Sequence, residues 1–384
     1  MIFLPGMARI WELLPEARMV GGAVRDMMAR RDIADVDFAV PLPPEEVMAR
    51  AQKAGVKFIP TGLAHGTVTL LAAGHGFEVT SLRRDVETDG RRARVAFTDD
   101  WQEDAARRDF TINAMSCGRD GKVFDYFNGQ ADLRAGMIRF VGAARLRLAE
   151  DYLRILRFFR FFARYGQGAP EEEALAAITA AREGLYGLSA ERVFSEVKKI
   201  LQAPAPLAAV ELMRTSGVLE IILPGAAPER LALLLARGAP VDPLLRLAAL
   251  TNEDLARRLR LSLAEEQRLA SWRTPFRLHP AADAASLRQA LADTPREILV
   301  GQSWLYGEAD AAWTALRARL ATQEQPVFPL LGRDLAVLGV KAGPEMGKIL
   351  ASVRRWWWEA GCCADKAACL ARAEAEAEAG GQAP

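Results

Sequence analysis

Asp35 and Asp37 lie in the run DVDFAV, where Val36, Phe38 and Val40 alternate with Asp35, Asp37 and Ala39. The two-residue period of a strand sets both carboxylates on one face and the apolar residues on the other. Two co-facial carboxylates at a strand edge suit Mg²⁺, which binds through one or two carboxylates and completes its shell with substrate phosphates and water. About a dozen residues earlier, Gly21 and Gly22 form a tight turn that opens a helix and leaves backbone N–H groups free for phosphate oxygens. Arg25, one turn into that helix, carries a forked donor toward the same phosphates. A lone Asp-x-Asp is more often a solvated strand face. The Gly-Gly turn and Arg25 point instead to metal-assisted phosphate chemistry.

Two further stretches join it. In RRDFTINAM, Arg108 and Asp109 set a guanidinium beside a carboxylate, suited to a triphosphate and a ribose hydroxyl, and Asn113 can read a sugar oxygen or cap a helix. By itself an Arg-Arg-Asp run is usually solvated surface. In EDYLRILRFFRF, Asp151, Arg154, Arg157 and Arg160 make a stripe at spacing three on an expected helix. A carboxylate only accepts and a guanidinium only donates. Cytosine and adenine each present an amino group beside a ring-nitrogen acceptor, which an Asp–Arg pair matches. Uracil and guanine present a carbonyl and an N–H, which it opposes. The bland alternative is an intrahelical ion-pair ladder.

The elements that must hold these groups change along the 384 residues, a length that suggests two to four domains. Up to about residue 142, VDFAV (36–40), GTVTLLAA (66–73), FEVTSL (77–82), RVAF (94–97) and KVFDYF (122–127) read as strands. AVRDMMARR and PEEVMARAQKAG read as helices, the second ending at Gly55 as a C-cap. Beyond residue 143 the pattern is helical and Ala/Leu-rich, and the C-terminal stretch reads as a fraying helix with a disordered tip. The composition, 51% hydrophobic and 26% charged, is that of a soluble globular chain. With a net charge of only +1, affinity for nucleic acid must come from a local patch. Residues 134–164 supply one, with eight arginines against Glu150 and Asp151. Four cysteines without a disulfide or CxxC pattern, no signal-like start and no long apolar run lead us to expect a cytoplasmic protein with no membrane span.

In their order, GGAVRD with DVD, RRDFTINAM, FDYFNGQADLRAGMIRFVG, EDYLRILRFFRF, LSAERVFSEVKKIL and LLGRDLAVLGVKAGPEMGKIL resemble the class II tRNA nucleotidyltransferase and bacterial poly(A) polymerase family. The resemblance covers most of the chain. It implies an α+β fold: a polymerase-β-like nucleotidyltransferase head with a mixed sheet and helices (1–142), then an all-helical neck that recognises the base (143–202), a body (203–315) and a tRNA-binding tail (316–384). It assigns Asp35 and Asp37 to Mg²⁺, with Glu78 as a weaker third carboxylate. Gly21, Gly22, Arg25 and Arg108 would meet the triphosphate and sugar, with Asp109 and Asn113 near the ribose. Asp151 and Arg154 would read the base edge, and Arg157 and Arg160 would lie beside base and phosphates. Residues 83–97 occupy the place of the family's flexible loop, which A addition is thought to need. Where the family often has DPFGG, this chain has Asp125-Tyr-Phe-Asn-Gly129, and Asn128 can adopt the positive φ of glycine.

The expected activity is template-independent addition of CCA to tRNA 3′ ends from CTP and ATP, by two-metal in-line transfer with release of pyrophosphate. A poly(A) polymerase or a partial CC- or A-adding enzyme shares every motif; a catalytically silent RNA-binding protein is the rival of another class. The acidic C-terminal stretch, Glu374, Glu376 and Glu378, tilts the reading toward CCA addition. Oligomeric state stays open. His65, His75 and His279 make no His-Asp metal pattern, Cys362, Cys363 and Cys369 lack a fourth ligand, and Trp356–Trp358 fit packing better than base stacking.

Overall fold

The computed structural model describes residues 4–33, 35–89 and 92–380. It divides into two compact units: Met1–Ala226 with Arg258–Arg260, and Ala227–Arg257 with Leu261–Pro384.

The first unit opens with a seven-stranded sheet of β1 (Arg18–Val20), β2 (Asp37–Val40), β3 (Lys57–Gly62), β4 (Thr67–Ala72), β5 (His75–Ser81), β8 (Met115–Cys117) and β9 (Val123–Asp125). Its order is β3-β4-β5-β2-β1-β8-β9. The pairs are antiparallel except β2 with β5, which run parallel with Asp37 opposite Glu78. Between β5 and β8, β6 (Arg83–Asp89) and β7 (Arg92–Phe97) pair as a separate two-stranded ribbon. The expected strand 94–97 falls within it, and Gly90 and Arg91 lie outside the described residues.

β2 begins at Asp37, one residue later than expected, so Asp35 and Val36 precede the strand, but burial alternates from Asp35 to Phe38 as the sequence implies. Val36, Phe38 and Val40 enter the main core, where Phe38 meets Trp11 edge-on at 5.3 Å. Ala39 turns the other way, against Val20, Leu82 and Trp101. The sequence misses β1 and β8, which are too short to show a period, and β3, whose Pro60 argues against a strand. Proline is tolerated there because β3 is a sheet edge.

Nine helices of this unit matter for the site: α1 (Met7–Leu13), α2 (Gly22–Met28), α3 (Pro44–Lys53), α4 (Trp101–Ala106), α5 (Gly129–Ala135), α6 (Ala144–Glu150), α7 (Leu153–Tyr165), α8 (Glu172–Ala181) and α9 (Ala190–Gln202). Gly55 follows α3 at φ +66, as a C-cap does. Asn128 takes the left-handed conformation, φ 60 and ψ 27, ahead of α5. The Asp125 carboxylate ties that turn by accepting from the N–H groups of Phe127, Gly129 and Gln130. Gly129 is irreplaceable for a different reason: a Cβ there would sit 2.2 Å from the Thr111 oxygen.

One expectation is corrected. The stripe from Asp151 to Arg160 is not on one helix, because Asp151 sits in the break between α6 and α7 with extended backbone, φ −158 and ψ 108. Its carboxylate accepts from the Leu153 N–H at 3.0 Å and so starts α7 instead of continuing α6. The phenylalanines of α7 then have a clear task. Phe158 stacks on Phe140 at 6.2 Å and Phe161 meets Phe110 edge-on at 5.3 Å, which presses α7 against the segment that carries Asp109.

In the second unit every element among the described residues is helical. Leu287, Leu291, Leu299, Leu316 and Leu320 form one cluster, and Leu335, Val353, Trp357 and Cys369 belong to another. The three consecutive tryptophans divide. Trp357 is buried, Trp356 packs partly against the same cluster, and Trp358 donates to Asp293 at 2.9 Å.

Candidate active site

The Gly-Gly turn lies between β1 and α2. Gly21 takes φ 66 and donates its N–H to the Met115 oxygen at 3.3 Å, fixing the turn to β8. Two guanidiniums flank it: a Cβ on Gly21 would lie 3.5 Å from Arg108 Nη1, and one on Gly22 3.4 Å from Arg25 Nη2. The turn is therefore lined with cations.

Asp35, Asp37 and Glu78 are all exposed, and none of them enters an ion pair with the described residues. Asp37 stands opposite both Val20 and Glu78 in the sheet. Although the residue reaches solvent, the protein packed around its carboxyl partly desolvates it and pushes it above the ordinary carboxylate range, and Glu78 and Asp35 push the same way, against the pull of Arg108. Crowded carboxylates without a bonded counter-ion suit a hard cation that takes oxygen ligands. Among the described residues no three His, Cys, Asp or Glu side chains close into a metal-binding group.

Behind the turn runs a chain of charge-assisted hydrogen bonds. Arg25 is buried; it pairs with Asp26 at 3.0 Å and donates to Asn113 Oδ1 at 2.6 Å. Asn113 donates in turn to Asp109 at 3.0 Å. Asp109 also accepts from Phe110 N–H at 3.0 Å and from Arg157 Nε at 2.7 Å. Burial pushes the Asp109 carboxyl up, but the Arg157 charge and the hydrogen bonds from Asn113, Arg157 and Phe110 outweigh it and hold the group below its ordinary value. Asn113 caps no helix; it links Arg25 to Asp109. Arg108 is held separately, 3.4 Å from the buried Asp104, which also binds Arg107 at 2.8 Å.

At the start of α7, Asp151 and Arg154 do not pair with each other. Asp151 accepts from Arg192 at 2.6 Å. Arg154 pairs with Glu150 and donates to the Arg147 oxygen at 2.7 Å. Arg160 pairs with the buried Glu196 at 2.9 Å, and burial pulls its guanidinium below its usual range against the Glu196 charge. Most of this stripe is paired to other elements, so the ladder of pairs within one helix is not formed. The ring of Phe161 gathers three of these cations, with Arg160, Arg25 and Arg157 at 4.5, 5.0 and 5.7 Å from its centroid.

Reasoning from the sequence missed Asp26, Asp104, Glu150, Arg192 and Glu196. Two of them carried a usable signal in their spacing: Asp104 lies three and four residues before Arg107 and Arg108, and Glu150 lies four before Arg154, although the break between α6 and α7 separates that second pair.

Residues 17–139 match the poly A polymerase head domain, and residues 169–230 match a probable RNA and SrmB-binding site of polymerase A. The mitochondrial CCA tRNA nucleotidyltransferase 1 of Danio rerio is 39% identical over 92% of this chain and 86% of its own length. The CCA-adding enzyme of Levilactobacillus brevis is 34% identical over 87% of each chain. The crystal structure of the Bacillus stearothermophilus CCA-adding enzyme in complex with CTP superposes with a TM-score of 0.75 at 25% identity, covering 99% of this chain and 100% of that one.

Proposed function

This chain belongs to the class II tRNA nucleotidyltransferase family, and on that premise we propose that it adds C, C and A in turn to the 3′ end of tRNA from CTP and ATP, without a template. The RNA 3′-hydroxyl attacks the α-phosphorus in line, the bond to the β-phosphate oxygen breaks, and pyrophosphate leaves. The observation that carries this reading is the unpaired acidic face of Asp35, Asp37 and Glu78 in the unit that also holds the Arg-lined Gly-Gly turn.

Asp35 and Asp37 would hold Mg²⁺, with Glu78 adjoining. When bound, Mg²⁺ supplies activation of the attacking hydroxyl and neutralisation of the departing phosphates. The chain's own groups do the rest. Gly21 and Gly22 admit phosphate oxygens to bare backbone, while Arg25 and Arg108 bring positive charge to both sides of the turn. Asp109 and Asn113 lie beneath, holding Arg157 and Arg25 at the sugar end. Arg157 and Arg160 add charge beside the base and phosphates.

Asp151 and Arg154 are assigned the pairing edge of the base. Two hydrogen bonds to Asp151 leave further lone pairs on the carboxylate for an exocyclic amino group. Arg154 spends only Nη1 on the described residues, leaving Nε and Nη2 for a ring nitrogen. Both contacts favour C and A over U and G.

The head would span 1–142, the neck 143–202, the body 203–315 and the tRNA-binding tail 316–384. Among the described residues no helix is long and apolar enough to cross a membrane. The four free thiols fit a reducing compartment, and we place the protein in the cytoplasm.

The test uses purified protein and a tRNA lacking its last three nucleotides, with each triphosphate singly and in pairs. Extension with CTP and ATP together that stops at three nucleotides is expected. A long A ladder would make it a poly(A) polymerase, extension by one or two a partial enzyme, and no extension would overturn the reading.

A further inference from the structure

At the far end of α2 from the Gly-Gly turn, a concavity of about 350 Å³ is lined from the ends of α2, α5 and α7. Arg31, Arg134 and Arg164 surround it, with Gln130 and Gln167 alongside. The arginines of the active site (Arg25, Arg108, Arg154, Arg157 and Arg160) each pair with a carboxylate. Among the described residues these three pair with none. Arg31 donates to the Arg164 oxygen at 2.8 Å, Arg164 to the Tyr165 hydroxyl at 3.0 Å, and Arg134 to no described acceptor.

Arg31 caps one carbonyl in the last turn of α7, that of Arg164, but capping helix-end carbonyls does not explain the positions of Arg134 and Arg164. Backbone N–H groups already serve those carbonyls: Ala29 to Arg25 at 2.9 Å, Met137 to Asp132 at 2.8 Å and Gly166 to Phe162 at 2.8 Å. Most of the guanidinium donors therefore have no acceptor among the described residues. Forked guanidiniums match phosphate oxygens, and the Gln amides offer the donor and acceptor that a neighbouring ribose 2′-hydroxyl requires. Arg134 and Arg164 also bound the basic stretch seen in the sequence, a local excess in a chain of net charge +1. α2 is 7 residues long, so the pocket lies about 10 Å along its axis from the Gly-Gly turn and addresses a different group.

We propose that this pocket seats a backbone phosphate of bound tRNA, an inference that rests on tRNA being the substrate. The test compares the full chain with Arg134→Gln, Arg164→Gln and the double variant, whose exposed side chains can change without disturbing a core. Expected are a rise of about tenfold in KM for tRNA in the double variant and unchanged KM for CTP and ATP. The slope of log affinity against log salt should fall by about one. Arg134→Glu should weaken tRNA binding further. Direct tRNA binding by fluorescence anisotropy and titration with inorganic phosphate separate the sources. Unchanged tRNA affinity overturns the proposal, as does phosphate binding that depends on the arginines while tRNA affinity does not. If the parent extends no tRNA at all, the reading of function fails instead.

Discussion

Replacing Asp109 by asparagine keeps the shape of the side chain and removes only its charge. Asp109 is 8% exposed and accepts from Phe110, Asn113 and Arg157, so the amide would turn a donor toward a guanidinium that can only donate. Removing one partner of a buried pair costs about 3–5 kcal/mol. The Arg157 side chain is 33% exposed and regains part of its hydration, which lowers the expected loss to about 2–3 kcal/mol. For a unit of this size that corresponds to a fall in Tm of about 5–10 °C. The sign of the pH dependence follows from the depressed carboxyl. Its stabilising contribution is complete above the ordinary Asp range, near 3.9, and is lost as pH falls through the lower folded value. Parent and Asp109→Asn should therefore differ fully at neutral pH and converge in acid. Because the network touches no base edge, kcat/KM should fall by a similar factor for CTP and ATP. Thermal melts at both pH values and steady-state kinetics check this. Equal melting at neutral pH, or a gap that persists in acid, would refute the reasoning.

Other expectations follow from the same geometry. Asp37→Ala should abolish nucleotide addition, and activity within tenfold of the parent would end the metal assignment. Asp37→Asn should melt no lower than the parent without metal at neutral pH, since a carboxyl raised by burial and by Glu78 works against the fold once ionised; this advantage should vanish in acid, and Mg²⁺ should no longer raise Tm. Asp151→Ala should lower kcat/KM for CTP and ATP by about tenfold or more while UTP loses little, and an equal fall for all four triphosphates would mean that the residue only starts α7. Phe161→Leu should weaken inorganic triphosphate binding severalfold where Phe162→Leu, of similar volume change, does not; equal effects in titration calorimetry would reduce the ring to packing.

Much of the site was legible because its signals are local. The alternating burial from Asp35 to Phe38, the Gly-Gly turn and the positive φ of Asn128 each depend on a few neighbouring residues, and the structure contains all three, although β2 itself begins only at Asp37. The arginines of α7 were legible as residues but not as partners. Arg157 meets Asp109, Arg160 meets Glu196 and Asp151 meets Arg192 only after the chain has folded back on itself. The break before α7 was hidden for a related reason, since one side chain decides it by bonding to the Leu153 N–H. In the sheet, β4 and β5 announced themselves by alternation. The central β1 and β8, at 3 residues each, depend on neighbours that their own sequence cannot reveal.

Among the described residues, β2 and β5 are the one parallel pair of the sheet, and Asp37 faces Glu78 across it. An antiparallel hairpin can zip outward from its turn, whereas a parallel pair must wait until the intervening chain, here α3, β3 and β4, has crossed over. As the chain leaves the ribosome, the strand bearing Asp37 thus emerges well before the strand that completes its acidic neighbourhood. Repulsion between those carboxylates is met only when the sheet closes, so their crowding opposes the last stage of assembly and not the first. The two carboxylates assigned to the cation, Asp35 and Asp37, stand together at the start of β2, and only Glu78 joins them from the strand made later.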